Sequence, residues 1–211
     1  MTRISDETRF ESLNSYEREA RAQGFVRVAG VDEAGRGPLA GPVAAAAVIL
    51  DPLRPILGLN DSKKLSPLKR EYLFDQINEK ALAFSVVLVE PSIIDEINIL
   101  QATLQAMGQA IDQLHPKPDL LLVDAVRLDT NDIPSWPIIG GDAKSNSIAA
   151  ASILAKVTRD RLMIELDQKY PGYGFAQHKG YGTSAHYAAL AKLGISPCHR
   201  RSFLKNLSEH V

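Results

Sequence analysis

Residues 25–50 read Phe25-Val26-Arg27-Val28-Ala29-Gly30-Val31, then Asp32-Glu33-Ala34-Gly35-Arg36-Gly37-Pro38, then Leu39-Ala40-Gly41-Pro42-Val43-Ala44-Ala45-Ala46-Ala47-Val48-Ile49-Leu50. The first seven alternate as a strand does, and Pro42 to Leu50 is a second, wholly apolar strand. Two glycines and a proline punctuate the middle segment as a turn. So short a link predicts an antiparallel hairpin, with an adjacent carboxylate pair, Asp32 and Glu33, at the end of its first strand.

Outward from this hairpin the chain alternates helices and strands. Residues 5–24 are polar and predict an exposed N-terminal helix, and 51–66 a Pro-rich loop. A helix is expected over Pro67–Lys80, a strand over Phe84–Glu90, and a long helix over Pro91–Leu114 with apolar residues at 3–4 spacing. Leu120-Leu121-Leu122-Val123-Asp124 suits a strand buried on both faces. Trp136–Ile139 is a fifth strand, and Ser147–Lys169 a long helix. A Gly- and Tyr-rich loop (171–183), a helix over Ser184–Leu193 and a short terminal helix over 199–210 close the chain. This order predicts an α/β protein: a mixed five-stranded sheet flanked by helices, in the pattern of the ribonuclease H-like fold, with a C-terminal helical extension. The expected division is an N-terminal extension (1–24), a catalytic domain (25–170) and a C-terminal part (171–211) completing a substrate groove. Trp136, Met107 and Met163 are most simply core.

The 211 residues are 45% hydrophobic and 23% charged, ordinary for a soluble protein. The longest apolar run, Val43–Leu50, is far short of the roughly 20 residues that cross a bilayer. The N-terminus has no apolar signal region, so a cytoplasmic protein is the expectation. The single cysteine, Cys198, leaves no internal disulfide and argues against structural zinc. Net charge is −1, unevenly spread: from Asp142 onward there are ten basic and five acidic residues, and before it fourteen and twenty. A basic C-terminal third suits phosphates, although a solvated surface would look the same.

Four acids are poorly explained by packing: Asp32, Glu33, Asp124 and Asp142. Each has a plain alternative. Asp142 would serve as a helix cap, Asp124 as a strand-end turn residue, and the Asp32–Glu33 pair as a solvated turn. If the first and fourth strands are parallel neighbours, however, Asp32, Glu33 and Asp124 meet on the edge where open α/β sheets place ligands. Crowded carboxylates repel and take up protons unless a cation neutralises them. Oxygen ligands without a His or Cys cluster suit Mg2+ or Mn2+. Two such ions about 4 Å apart assist in-line phosphoryl displacement.

The segment Gly30 to Val43 resembles the signature of the type 2 ribonuclease H family, most closely its bacterial ribonuclease HII branch. The resemblance continues through Asp61-Ser62-Lys63-Lys64-Leu65, Leu122-Val123-Asp124, Gly141-Asp142 and Ile148 to Asp160. It closes with Lys179-Gly180-Tyr181-Gly182-Thr183, His186 and His199-Arg200-Arg201-Ser202-Phe203, covering roughly residues 28–205. It implies an endonuclease that cuts RNA in RNA–DNA hybrids and cuts 5′ of single ribonucleotides in duplex DNA, leaving 3′-hydroxyl and 5′-phosphate ends. It implies Asp32, Glu33, Asp124 and Asp142 as ligands to divalent metal, two Mg2+ or Mn2+ ions being expected; Asp32, as the innermost strand-end carboxylate, is the one placed to bridge them. Asp160, about five turns beyond Asp142 on the expected helix, is structural. Gly35-Arg36-Gly37 matches the loop that meets the 2′-hydroxyl, and Tyr181 a tyrosine that stacks on the neighbouring sugar. Lys63, Lys64, Lys144, Lys179, Arg200 and Arg201 are candidate phosphate contacts. His178, His186 and His199 lack metal-ligand spacing and are structural or phosphate-facing. The related ribonuclease HIII carries an added N-terminal substrate domain, for which the residues before Gly30 leave no room. A hybrid-binding module would not need all four carboxylates, and a phosphatase or integrase would lack the glycine loop and Tyr181. No membrane is expected as a partner, protein partners are open, and a monomer is the expectation.

Overall fold

Five strands form one mixed sheet in the computed structural model, which describes residues 5–128 and 132–204. In chain order the elements are α1 (Asp6–Ser12), α2 (Ser15–Ala22), β1 (Val28–Ala34), β2 (Val43–Ile49), α3 (Pro67–Lys80), β3 (Ala83–Val89) and α4 (Pro91–Asp112). Then follow β4 (Leu120–Asp124), β5 (Ser135–Ile138), α5 (Asn146–Lys169), α6 (Phe175–His178) and α7 (Ser184–Leu193). The strand order is β3-β2-β1-β4-β5. β1 and β2 are the expected antiparallel hairpin, and β1 runs parallel to β4, with Val31 opposite Val123. The mixed sheet with helices on both faces is the ribonuclease H-like α/β architecture.

Strand alternation sorts the side chains. Ala29, Val31, Val43, Ala45, Ala47, Leu121 and Val123 join the core under α4, whose Ala102, Ala106, Met107 and Ala110 are fully buried. On the other face, Ala44, Ala46 and Val48 pack on the α5 residues Ala149, Ala150, Ile153 and Leu154 and on α3. The run of alanines in β2 and at the start of α5 brings backbones close. Gly30 takes this furthest: a Cβ there would lie 2.0 Å from the Ser147 carbonyl carbon and 2.3 Å from the Ile148 nitrogen. A third cluster around Met163, Phe175, Leu190 and Cys198 seats the C-terminal segment against α5 and residues 39–40. Trp136 is half-buried and packs edge-on to Phe25, with ring centroids 6.1 Å apart.

The structure revises several expected boundaries. β1 extends through Ala34, because Asp32, Glu33 and Ala34 pair with Ala46, Ala45 and Ala44; the turn begins only at Gly35. The N-terminal helix is two helices, and it is not wholly exposed: Leu13, Glu17 and Ala20 are buried. α4 kinks at Asn98, in the left-handed region at φ 67, whose side chain caps the next turn by accepting from the Leu100 and Gln101 amides. The loop 171–183 contains α6, and the expected terminal helix is only a 3-10 turn at Arg201–Phe203. Residues 205–210 of that expected helix lie outside the described residues.

Candidate active site

Asp32 and Asp124 follow the last paired rung of the parallel β1–β4 ladder, Val31 beside Val123. Alternation places both on the face shared by Gly30 and Leu122, toward α5. The third aspartate, Asp142, sits in a 3-10 turn (Gly141–Ala143) just before α5. It is not the cap of that helix, a role that Ser145 fills by accepting from the Ile148 amide. Asp124 Oδ1 accepts from the Gly141 amide at 2.7 Å, which ties the end of β4 to this turn. A glycine at 141 makes the approach possible, since a Cβ there would meet Ile148 at 2.5 Å.

Burial and mutual repulsion both act on these acids. Asp32 is 5% exposed, and burial pushes its carboxyl well above the usual range, followed by the charges of Glu33, Asp124 and Asp142. Glu33 is raised by burial, although Arg36, 3.6 Å away, opposes the shift. Asp142 is raised by burial, then by Asp61 and Asp124. Asp61 is therefore a fifth carboxylate at this edge. It falls in the Asp61-Ser62-Lys63-Lys64-Leu65 block, where the lysines draw attention first, and nothing in its spacing links it to Asp142. Among the described residues no three His, Cys, Asp or Glu side chains converge into a closed ligand set. The acids are neighbours rather than the tight nest expected. Unneutralised carboxylates repel, and Asp32 and Asp124 each accept from a backbone amide instead.

The donor set fits a hard divalent ion. It is all oxygen, several of its members are raised by one another's charge, and Glu33 Oε2 is buried without a hydrogen-bond partner. Two positive charges placed here would reverse the repulsion.

A cleft of about 280 Å³ opens beside the acids. Its lining includes Asp32, Glu33, Gly35-Arg36-Gly37, Lys63 and Tyr181, so one concavity gathers residues 149 positions apart. Tyr181 is 44% exposed and stands against Gly37, where a Cβ would lie 3.8 Å from its ring. Lys156 also lines the cleft and pairs with Asp160 at 2.7 Å. The loop carrying Lys63 and Lys64 is pinned: the buried Ser62 hydroxyl meets Ser152 at 2.7 Å, and Arg70 donates to the Ser62 and Leu65 carbonyls. Lys64 pairs with Asp61 at 3.7 Å.

The glycine loop is held by two buried guanidiniums. Arg200, fully buried, donates to the carbonyls of Gly35 (2.6 Å), Arg36 (2.9 Å) and Gly41 (2.9 Å). Arg159 donates to those of Ala40, Pro42 and Lys179, each at 2.9 Å. Gly35 has φ +91, and a Cβ there would strike the Arg159 side chain at 2.1 Å. Arg200 is thus not presented to solvent as the phosphate contact expected of it: it is fully buried, and all three of its nitrogens face loop carbonyls. In a trans peptide the N–H opposes the C=O. Turning the Gly35 and Arg36 carbonyls inward turns the Arg36 and Gly37 amides away from Arg200. The motif block contained Arg200 and Arg159, but not the sign that they would be interior.

The remaining expected contacts divide. Arg201 is exposed, with its backbone anchored to Asp95. Lys144 is exposed and donates to the Ile139 carbonyl at 2.7 Å; Lys179 is half-buried and donates to Ala176. His186 and His199 are buried and meet Nε2 to Nε2 at 3.0 Å, with His178 stacked on His186. Burial lowers both, His199 to about 4, so the histidines are structural rather than phosphate-facing.

Fold and site together define a metal-dependent nuclease of the ribonuclease H-like class. The ribonuclease HII profile matches residues 29–206, and the chain belongs to the ribonuclease HII family. Ribonuclease HII of Ruminiclostridium cellulolyticum is 58% identical over 201 residues, spanning 95% of this chain and 79% of that one. Among solved structures, the ribonuclease H2 of Pyrococcus horikoshii matches with a TM-score of 0.72 at 32% identity, over 87% of this chain and 98% of that chain. Bst-RNase HIII, solved in complex with Mn2+, shares the fold at a TM-score of 0.64 and 19% identity, over 90% and 71% of the two chains. As a member of this family the protein is an endoribonuclease that requires divalent metal and acts on RNA–DNA substrates. Among the described residues no helix is long and apolar enough to cross a membrane.

Proposed function

We propose that this ribonuclease cuts the RNA strand of RNA–DNA hybrids and also cuts on the 5′ side of a single ribonucleotide embedded in duplex DNA, leaving 3′-hydroxyl and 5′-phosphate ends. The observation that carries the reading is the single cleft in which Asp32 and Glu33 face Gly35-Arg36-Gly37 and Tyr181. Acids for metal, amides for a 2′-hydroxyl and a ring for a sugar are the three elements that such a cut requires.

In this reading Asp32, Glu33, Asp124 and Asp142 would hold two ions, Mg2+ or Mn2+. When bound, the ions supply an activated water and a counter-charge for the leaving oxygen. The chain does the rest. The Arg36 and Gly37 amides donate to the 2′-hydroxyl, the group that separates RNA from DNA. Tyr181 stacks on the adjoining deoxyribose, where an added hydroxyl would fit worse. Lys63, Lys64 and Arg201 hold phosphates, joined by Lys144 and Lys179 once these release their backbone carbonyls. Within the described residues, the segment from Val28 to Lys169 acts as the catalytic unit and 171–204 complete the groove. The enzyme works as a monomer in the cytoplasm.

The test is Asp124→Asn. It keeps the acceptor for the Gly141 amide but removes a charge. Cleavage of hybrid should fall at least about a thousandfold, with hybrid affinity within about threefold of the original. Near-normal turnover would refute the assignment.

A further inference from the structure

Tyr181 stands between Gly180 and Gly182, residues whose backbone is freest to turn, so the aim of its ring depends on what holds its peptide groups. Gly180 is gripped from both sides: its carbonyl accepts from the Leu39 amide at 2.8 Å, and its amide donates to His178 Nδ1 at 3.2 Å. The Tyr181 carbonyl accepts from the Thr183 amide, two residues on, and from one side chain, His186, whose Nδ1 lies 2.9 Å away. His186 is fully buried and His199 nearly so, and the two meet Nε2 to Nε2 at 3.0 Å. His199 Nδ1 in turn lies 3.0 Å from the Ser196 amide and 2.7 Å from its hydroxyl. A chain of side-chain bonds therefore runs from Ser196 through two buried rings to the peptide of the tyrosine in the cleft.

Both ends of this chain are backbone groups with fixed roles, and they determine every proton in between. From one end, the Tyr181 carbonyl only accepts, so His186 carries its hydrogen on Nδ1 and leaves Nε2 bare. From the other, the Ser196 amide only donates, so His199 Nδ1 is bare and its hydrogen is on Nε2. The two assignments meet with a single proton between the Nε2 atoms, as a bond there requires. Burial pushes both rings down, His199 to about 4, so both are neutral at pH 7. His178, stacked on His186 with ring centroids 4.4 Å apart, is fixed in the same way: Nε2 donates to the Tyr173 carbonyl and Nδ1 accepts from Gly180. A buried network with every role filled is rigid and specifies one arrangement.

We propose that His186 and His199 are positioning residues for Tyr181: their chain of directed bonds, begun at Ser196, holds the Tyr181 peptide and thereby sets the ring's place in the cleft and the preference for a lone ribonucleotide. The preference rests on the reading that Tyr181 stacks on the adjoining sugar; the hold on the peptide does not. Two substitutions separate the two bonds of the His186 ring. An asparagine amide reaches the place of Nδ1, and a glutamine amide that of Nε2. His186→Asn therefore keeps a donor for the Tyr181 carbonyl and gives up His199, whereas His186→Gln keeps an acceptor for His199 and gives up Tyr181. Each loses one interior bond, so lost stability alone would affect both alike.

In the unaltered chain, nitrogen NMR of the imidazoles should show hydrogen on His186 Nδ1 and on His199 Nε2. Backbone order parameters of residues 180–182 should be about 0.85 in that chain and in His186→Asn, and below about 0.6 in His186→Gln. Cutting at a single embedded ribonucleotide relative to a long hybrid, compared as kcat/KM with Mg2+, should fall at least about threefold in His186→Gln and less than about twofold in His186→Asn. Tyr181→Ala is the control for the sugar reading: if it leaves that ratio unchanged, stacking fails as an explanation and the order parameters alone decide the positioning. A proton on the other nitrogen of either ring overturns the proposal, and so do equal order parameters in the two variants. Where Tyr181→Ala lowers the ratio, an unchanged ratio in His186→Gln overturns it as well. Should His186→Gln fail to fold, the imidazole spectra of the unaltered chain decide.

Discussion

Arg200 shows how a residue far from the reacting atoms shapes them. Its guanidinium makes three bonds to the carbonyls of Gly35, Arg36 and Gly41, and among the described residues it forms no ion pair. Burial, with Arg159 close by, pushes its pKa down to about 9, which keeps it charged at neutral pH. The planar fork is essential, and a lysine ammonium cannot reach three carbonyls so disposed. Arg200→Lys should cost about 2–4 kcal/mol in denaturant unfolding, from carbonyls left unpaired. It should also lower cutting at a single embedded ribonucleotide more than cutting of a long hybrid, since the loosened loop must find one 2′-hydroxyl. Equal losses on both substrates would remove the positioning role. Asp124 is legible in the sequence because it ends a run of four Leu and Val residues, although a strand-end turn would read the same. An arginine beside another arginine reads as surface, and only the three-dimensional closeness of residues 35–41 to 200 reveals the interior carbonyls that hold Arg200.

At the level of elements, the central contact is α5 against β1 and β2. It depends on small residues: Gly30 under Ser147, and alanines in β2 facing alanines in α5. Gly30→Ala would drive a methyl into backbone, which no rotamer change can relieve. We expect a loss of at least about 3 kcal/mol, and with it a displaced Asp142 turn. Gly108 in α4 is the control, because a Cβ there meets nothing within 4 Å. Gly108→Ala should be neutral or stabilise by up to about 1 kcal/mol. Equilibrium unfolding of both variants checks the contrast, and a tolerated Gly30→Ala would contradict the packing described. Apolar 3–4 spacing located α4, and the expected bounds of α3, α5 and α7 lie within a residue of those observed. It could not show that β1 runs through Asp32 and Glu33: two charged residues read as the onset of a turn, while the pairing with β2 is a tertiary fact. The Asn98 kink likewise has a local cap, but no break in the apolar pattern announces it.

Across the whole molecule, charge and concavity are arranged by the topology. The reversal from antiparallel β2–β1 to parallel β1–β4 puts the ends of the two central strands on one edge, and α5 and the C-terminal segment bring Tyr181 and the buried arginines to it. The basic C-terminal third noted in the sequence is in part interior, with Arg159 and Arg200 spent on holding the loop, so the exposed contribution to phosphate binding is smaller than the count suggests. The N-terminal helices, read from sequence as an exposed appendage, are instead fastened to the start of α5 through Glu17 and Asn146, because their few apolar residues fall on one buried side. Supplied with divalent metal, this edge is expected to cut beside a lone 2′-hydroxyl. The most direct measurement is incubation with a DNA duplex carrying one ribonucleotide, with Mg2+, with Mn2+ and with chelator, followed by mapping of the ends. A single metal-dependent nick 5′ of the ribonucleotide, bearing a 3′-hydroxyl and a 5′-phosphate, is expected. A nick elsewhere, or an undiminished nick in chelator, would contradict it.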